Sequence, residues 1–103
     1  LQKDPKTIQN WIKILENLYV VFRVFPFHKN VARALLKEPK IYLFDLARVR
    51  GDEGAILENL VALAIRKQLD YLSDVQGISG EMYFIRNRDG DEIDFYIHWD
   101  RPD

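Results

Sequence analysis

The sequence predicts one domain of mixed helices and strands, α+β or α/β, and three observations carry that expectation. Residues 83–97 read as a hairpin, because two runs of β-formers flank Asp89-Gly90 and glycine accepts the positive φ of a tight turn. Residues 54–72 carry apolar side chains at helical spacing. The order along the chain is helix, strand, strand, helix, hairpin, with no internal repeat and no low-complexity stretch.

Each element has a local cause. Asp4-Pro5 is a helix start, an N-cap acid followed by a proline whose missing N–H costs nothing in the first turn. Ile8, Trp11, Ile12, Leu15 and Leu18 then form one apolar stripe. Residues 19–25 are β-formers ending at Pro26, and His28-Lys29-Asn30 reads as a turn. Residues 31–36 suit either a short helix or an irregular strand. Pro39 breaks the chain before a short strand over 40–45, and residues 48–54 are polar and turn-like. After the long helix, residues 73–80 are expected as a loop. Beyond the Asp89-Gly90 turn, strict alternation puts Ile93, Phe95, Ile97 and Trp99 on one face and Glu92, Asp94, Tyr96 and His98 on the other.

Composition narrows the function. Of 103 residues, 48% are apolar and 13% aromatic, enough for a core. A net charge of −1 gives no general attraction for polyanions, so nucleic-acid binding would need a local basic patch. Without cysteine there is no thiol nucleophile, disulfide or cysteine zinc site, and two histidines exclude a histidine-rich metal centre. No apolar run reaches the ~18 residues of a membrane span, and the first residues lack the apolar core of a signal peptide. The expectation is a cytoplasmic fragment of a longer protein.

Two acids stand out. Asp94 sits on a strand with a regular apolar face, a rigid mount suited to a metal ligand. On the long helix, 100° steps place Asn59, Arg66 and Asp70 on a polar side, while Glu58 falls with Val61, Ala62, Ile65 and Leu69. A carboxylate in an apolar stripe must be paired, hydrogen-bonded or metal-bound. Glu58 is therefore ion-paired across the helix–sheet interface, with Arg86 as a natural partner, or set at the rim of the stripe, or buried neutral with a raised pKa, or aimed at the same hard-cation site as Asp94. Lys40, next to a proline at a strand start, is expected to be solvated. His98 reads as structural and Asp45 as a turn cap.

Four segments in order resemble one family: Thr7 to Val21, with Trp11, Leu15, Glu16 and Tyr19; Pro39-Lys40-Ile41-Tyr42-Leu43-Phe44-Asp45; Gly54 to Ala62, with Glu58-Asn59; and Tyr83 to Phe95, with Arg86, Gly90, Glu92 and Asp94. The chain resembles the domain of unknown function at the C-terminus of bacterial and archaeal AAA-type ATPases. That resemblance implies an α+β fold, with a winged-helix-like element over 1–36 leading into part of a restriction-endonuclease-like core of the PD-(D/E)xK type over 37–103. It also implies that Glu58 and Asp94 bind Mg²⁺ or Mn²⁺ and that a following Glu-x-Lys completes a phosphodiester-cleaving site.

After Asp94 no Glu-x-Lys follows, and there is no P-loop signature. The chain alone is therefore expected to be inactive, with ATP handled by a separate N-terminal ATPase domain. Lys6 and Lys13 on the first helix, with residues 19–25 as a wing strand, and Arg86 and Arg88 on the hairpin are candidate phosphate contacts for DNA, with Lys3, Lys29, Arg33 and Lys37 adding charge. A free sheet edge beside Trp99 would invite dimerisation. The competing expectation is a non-catalytic DNA- or protein-binding module on a degenerate nuclease fold.

Overall fold

A computed structural model describes residues 4–86 and 89–100, and it is α+β. Helix α1 (Pro5–Asn17) begins where Asp4 accepts a hydrogen bond from the Lys6 amide. It ends through Tyr19, which takes the left-handed conformation (φ 58°) and turns the chain into strand β1 (Val21–Pro26). The stretch left open between helix and strand forms a short helix, α2 (Val31–Ala34), ahead of strand β2 (Lys40–Leu43). Asp45 caps a single 3₁₀ turn over Leu46–Arg48, as expected. Helix α3 (Glu53–Gln76) starts at Asp52, whose carboxylate accepts from the Ala55 amide, and stops at Gly77 (φ 67°). Most of the loop expected over 73–80 is absent: α3 runs on to Gln76, and strand β3 (Ser79–Arg86) starts three residues later. The hairpin forms as expected, β3 pairing antiparallel with strand β4 (Glu92–Asp100).

The sheet runs β2-β1-β3-β4, with β1 and β3 paired parallel and the other two neighbouring pairs antiparallel. One sheet thus joins residues on both sides of position 36. Phe22, Val24, Tyr42, Met82 and Phe84 meet Ala62, Leu63 and Leu69 of α3 to form the core, with Phe95 and Ile97 packed against it. On the other face, α1 leans over β1 and β2 and leaves an apolar groove of about 660 Å³ lined by Ile8, Ile12, Phe25 and Ile41. None of the residues of α1 is fully buried.

Two orientations differ from the sequence expectation. Asn59 does not join a solvated polar side: it is buried, accepting from the Leu43 amide (3.0 Å) and donating to the Leu43 carbonyl (2.8 Å). Helix α3 is therefore turned so that Asn59, Ala62, Leu63 and Leu69 face inward and Val61 is exposed, while Glu58 stands at the rim, one of the placements expected for it.

The alternation along β4 is also broken. Tyr83 pairs with Tyr96 and Ile85 with Ile93, so the single residue Phe84 faces two, Asp94 and Phe95. This bulge carries one extra residue and re-aims the side chains on either side of it. Ile93 goes to the outer face, and Glu92 and Asp94 turn toward the α3 side instead of sharing a face with Tyr96 and His98. Tyr96 and His98 stay on the other face, against Phe27.

Candidate functional site

The bulge, the first turns of α3 and the start of β2 converge at one end of the sheet. Lys40 and Tyr42 lie two residues apart on β2 and so share the face that Tyr42 buries. The Lys40 stem crosses toward β4 and places Nζ 5.0 Å from the centre of the Phe84 ring. There the ammonium bonds Glu92, lies 3.3 Å from Asp94 Oδ1 and 3.8 Å from Glu58 Oε2. Tyr42 donates its hydroxyl to the same Glu58 oxygen at 2.7 Å. Arg86 closes the outer side, its Nε and Nη2 reaching Glu92 Oε2 at 3.2 and 3.1 Å.

The two sequence-predicted acids, Glu58 and Asp94, are therefore brought together, but on a lysine. Lys40 is not a solvated strand-starter, and Arg86 pairs with Glu92 rather than with Glu58 or Asp94. Lys40, Tyr42 and Glu92 were not among the expected site residues. A signal for them existed: the i, i+2 relation of Lys40 to a core tyrosine, and the placement of Arg86 and Glu92 three residues either side of Asp89, which makes them a cross-strand pair. The other predicted phosphate contacts lie elsewhere. Lys6 and Lys13 are exposed on α1, and Lys13 lines the groove on the opposite face of the sheet. Lys3 and Arg88 lie outside the described residues.

Electrostatics follow from this packing. Burial is the largest single influence on Lys40 and pulls its pKa down, but hydrogen bonds to Glu92 and Asp94 and the nearby Glu58 charge outweigh it, so the net shift is upward. The hydrogen bond from Lys40, helped by Arg86 against a smaller burial penalty, holds Glu92 below the ordinary carboxylate range. Burial, then the Glu58 carboxylate, pushes the Tyr42 hydroxyl far up, so it stays a donor.

The signs give a pH prediction. Glu92, depressed in the fold, contributes stability that is present above its ordinary value of 4.5 and lost as pH falls through its lowered value. Lys40, raised in the fold, contributes stability that is present below 10.5 and lost as pH rises through its raised value. Thermal unfolding of the native chain beside Glu92→Gln should show a gap at neutral pH that closes on acidification. A gap that persists unchanged at pH 2 would contradict the ion pair.

The chemistry open to this arrangement is limited by its own saturation. The ammonium has three donors and faces three carboxylates. A divalent cation on hard oxygens needs carboxylates around an open position, at about 2.0–2.6 Å. Here Lys40 Nζ stands between Glu58 and Asp94, and among the described residues no group of three or more His, Cys, Asp or Glu side chains is arranged to hold a metal ion. As arranged, the residues do not fit Mg²⁺ or Mn²⁺. None of the described helices is long and apolar enough to cross a membrane. Residues 1–50 match a family described as Domain of unknown function (DUF8612). No curated protein and no solved structure matches the chain.

Proposed function

We propose that the chain is a C-terminal accessory domain of a cytoplasmic AAA-type ATPase, with a winged-helix-like lead-in and part of a restriction-endonuclease-like core, and that it works by binding rather than by cutting. The observation that carries the second half is the Lys40 ammonium, which bonds Glu92 and Asp94 and lies 3.8 Å from Glu58, so that a fixed positive charge stands where a metal ion shared by Glu58 and Asp94 would sit. The meeting of Glu58 and Asp94 from separate elements supports the nuclease-like ancestry, because the resemblance assigns its acidic pair to these two residues. DNA or a partner protein of the ATPase is the bound species. For DNA, Lys6 and Lys13 on α1 are the phosphate contacts, since Arg86 is engaged by Glu92.

A metal-dependent nuclease is the second reading, favoured by the same convergence of Glu58 and Asp94. Both are tested on the full-length protein containing this chain, assayed for Mg²⁺- or Mn²⁺-dependent DNA cleavage beside Asp94→Ala. The expected result is retained DNA or partner binding with no cleavage by either form. Cleavage that disappears in Asp94→Ala would overturn the binding-only reading and establish the nuclease.

A further inference from the structure

We propose that the groove between α1 and the stretch leading into β2 is a docking site for an acidic amphipathic segment of a partner protein, apolar along its middle and carboxylate-bearing at both margins. The inference deepens the binding-only reading and rests on it for there being a bound partner, which it takes to be protein rather than DNA.

The groove has two banks and a floor. Ile8 and Ile12 of α1 form one bank, Leu35 and Leu36 ahead of β2 form the other, and Phe25 and Ile41 of the sheet lie between them. Together they bound about 660 Å³. Ile8 is nevertheless 42% exposed, Ile41 48%, Leu35 58% and Leu36 85%. Apolar side chains gathered round one depression and left half exposed mark an interaction surface. A small-molecule pocket encloses most of its ligand. Here the second bank stands out in solvent, a shape that suits a chain laid along the groove.

Charge selects the occupant. Lys13 stands on the α1 bank and Lys37 on the opposite one. Among the described residues neither has an ion-pair partner, whereas Arg23 on the floor is neutralised by Glu16 at 2.8 Å. Lys6, seven residues before Lys13, lies on the same side of α1 and lengthens that bank. Glu38 is the one acid among the described lining residues. Two lysines against one glutamate leave the rim positive on a chain whose net charge is −1. An apolar strip between cationic banks is the complement of a helix with apolar anchors at i, i+3, i+4 and i+7 and carboxylates beside them.

The same features disfavour DNA. A duplex is held through its phosphates, which takes several lysine or arginine contacts. A phosphate backbone gains nothing from Phe25, Ile41 or Leu36, and covering them is what the groove offers.

The test is selection from a random peptide display library on the full-length protein containing this chain. Selected peptides and a labelled DNA duplex are then compared by fluorescence anisotropy on the native protein, Leu36→Ser, Ile41→Thr and the double variant Lys13→Glu/Lys37→Glu. Leu36 is exposed enough to be replaced without cost to the fold, and threonine keeps the β-branched shape that suits a strand. Thermal unfolding checks that each variant is folded. Enriched peptides should combine apolar residues at helical spacing with Asp or Glu. Leu36→Ser or Ile41→Thr should weaken their binding by at least about tenfold, the scale of losing one anchoring contact, and leave duplex binding unchanged. The double charge reversal should weaken it as well.

No enriched peptide, enriched peptides without an excess of acids, or binding unmoved by the two apolar variants or by the charge reversal overturns the inference. So does duplex binding that falls in Leu36→Ser or Ile41→Thr, because the groove is then a DNA surface. Cleavage of DNA by the full-length protein would sink the binding-only reading and leave the groove untouched, since it lies on the opposite face of the sheet from Glu58 and Asp94. The two can therefore fail separately.

Discussion

Replacing Phe84 with alanine is expected to cost about 3–5 kcal/mol, the range for truncating a fully buried aromatic. The side chain is 1% exposed and lies in the layer between β3 and α3, in the cluster formed by Phe22, Val24, Met82, Ala62 and Leu63. Domains of this size are stable by roughly 5–15 kcal/mol, so the loss consumes a large share. With a urea slope of about 1–3 kcal/mol/M, the midpoint should fall by at least about 1 M. The same ring lies beneath two cations, with Lys40 Nζ at 5.0 Å and the Arg86 guanidinium at 5.2 Å. Truncation should therefore loosen the carboxylate–lysine cluster as well as the core. Phe84→Leu separates the two effects: it keeps most of the apolar volume but removes the π-face that attracts the cations. A loss below about 1 kcal/mol in the alanine variant would mean that the ring is not the centre of this core.

Most of the elements were legible because they have short-range causes, whereas residues 31–36 stayed open between helix and strand and the end of α3 was placed too early. Asp4-Pro5 starts α1, Asp89-Gly90 turns β3 into β4, and apolar spacing announces α3. The direction in which α3 faces was not legible. Ile56, Leu57, Leu60 and Val61 remain exposed on its outer side, so apolar residues lie all round its first turns and a helical wheel does not single out the inward face. What orients the helix is Asn59, a polar residue that sequence patterning assigns to solvent and that tertiary packing buries against the backbone of Leu43.

The site was half legible for a related reason. Glu58 and Asp94 are conspicuous as acids on ordered elements, and they do meet. Their partner was hidden, because a lysine's destination depends on which strands lie between its Cα and an acid. Here Lys40 on β2 reaches over Phe84 on β3 to acids on β4, a path set by the order β2-β1-β3-β4. The bulge was hidden as well. Nothing in Glu92-Ile93-Asp94-Phe95 marks an inserted residue, and without it strict alternation sends Glu92 and Asp94 to the wrong face.

Asn59→Ala should be the most costly polar substitution, at about 2–4 kcal/mol: two net hydrogen bonds of about 1 kcal/mol each, plus the penalty for Leu43 groups left without a partner. Because β2 is an edge strand, the Leu43 N–H and C=O that point away from β1 would otherwise have no ladder to join. The Asn59 amide takes the place of the missing strand there, with a donor and an acceptor in the geometry of a peptide group. Asn59→Asp keeps the acceptor for the Leu43 amide but sets a carboxylate against the Leu43 carbonyl, so it should be destabilising too. Hydrogen exchange reads the contact directly: the Leu43 amide should lose protection in Asn59→Ala while amides in the middle of β3 keep theirs relative to global unfolding. Unchanged protection at Leu43 would show that β2 does not depend on this amide. The consequence reaches the site, because the helical turn that docks β2 through Asn59 also carries Glu58 to Tyr42 and Lys40. Loosening that dock should lengthen the Glu58 contacts before the Glu92 and Asp94 contacts, which are anchored on β4 by the bulge and by Arg86.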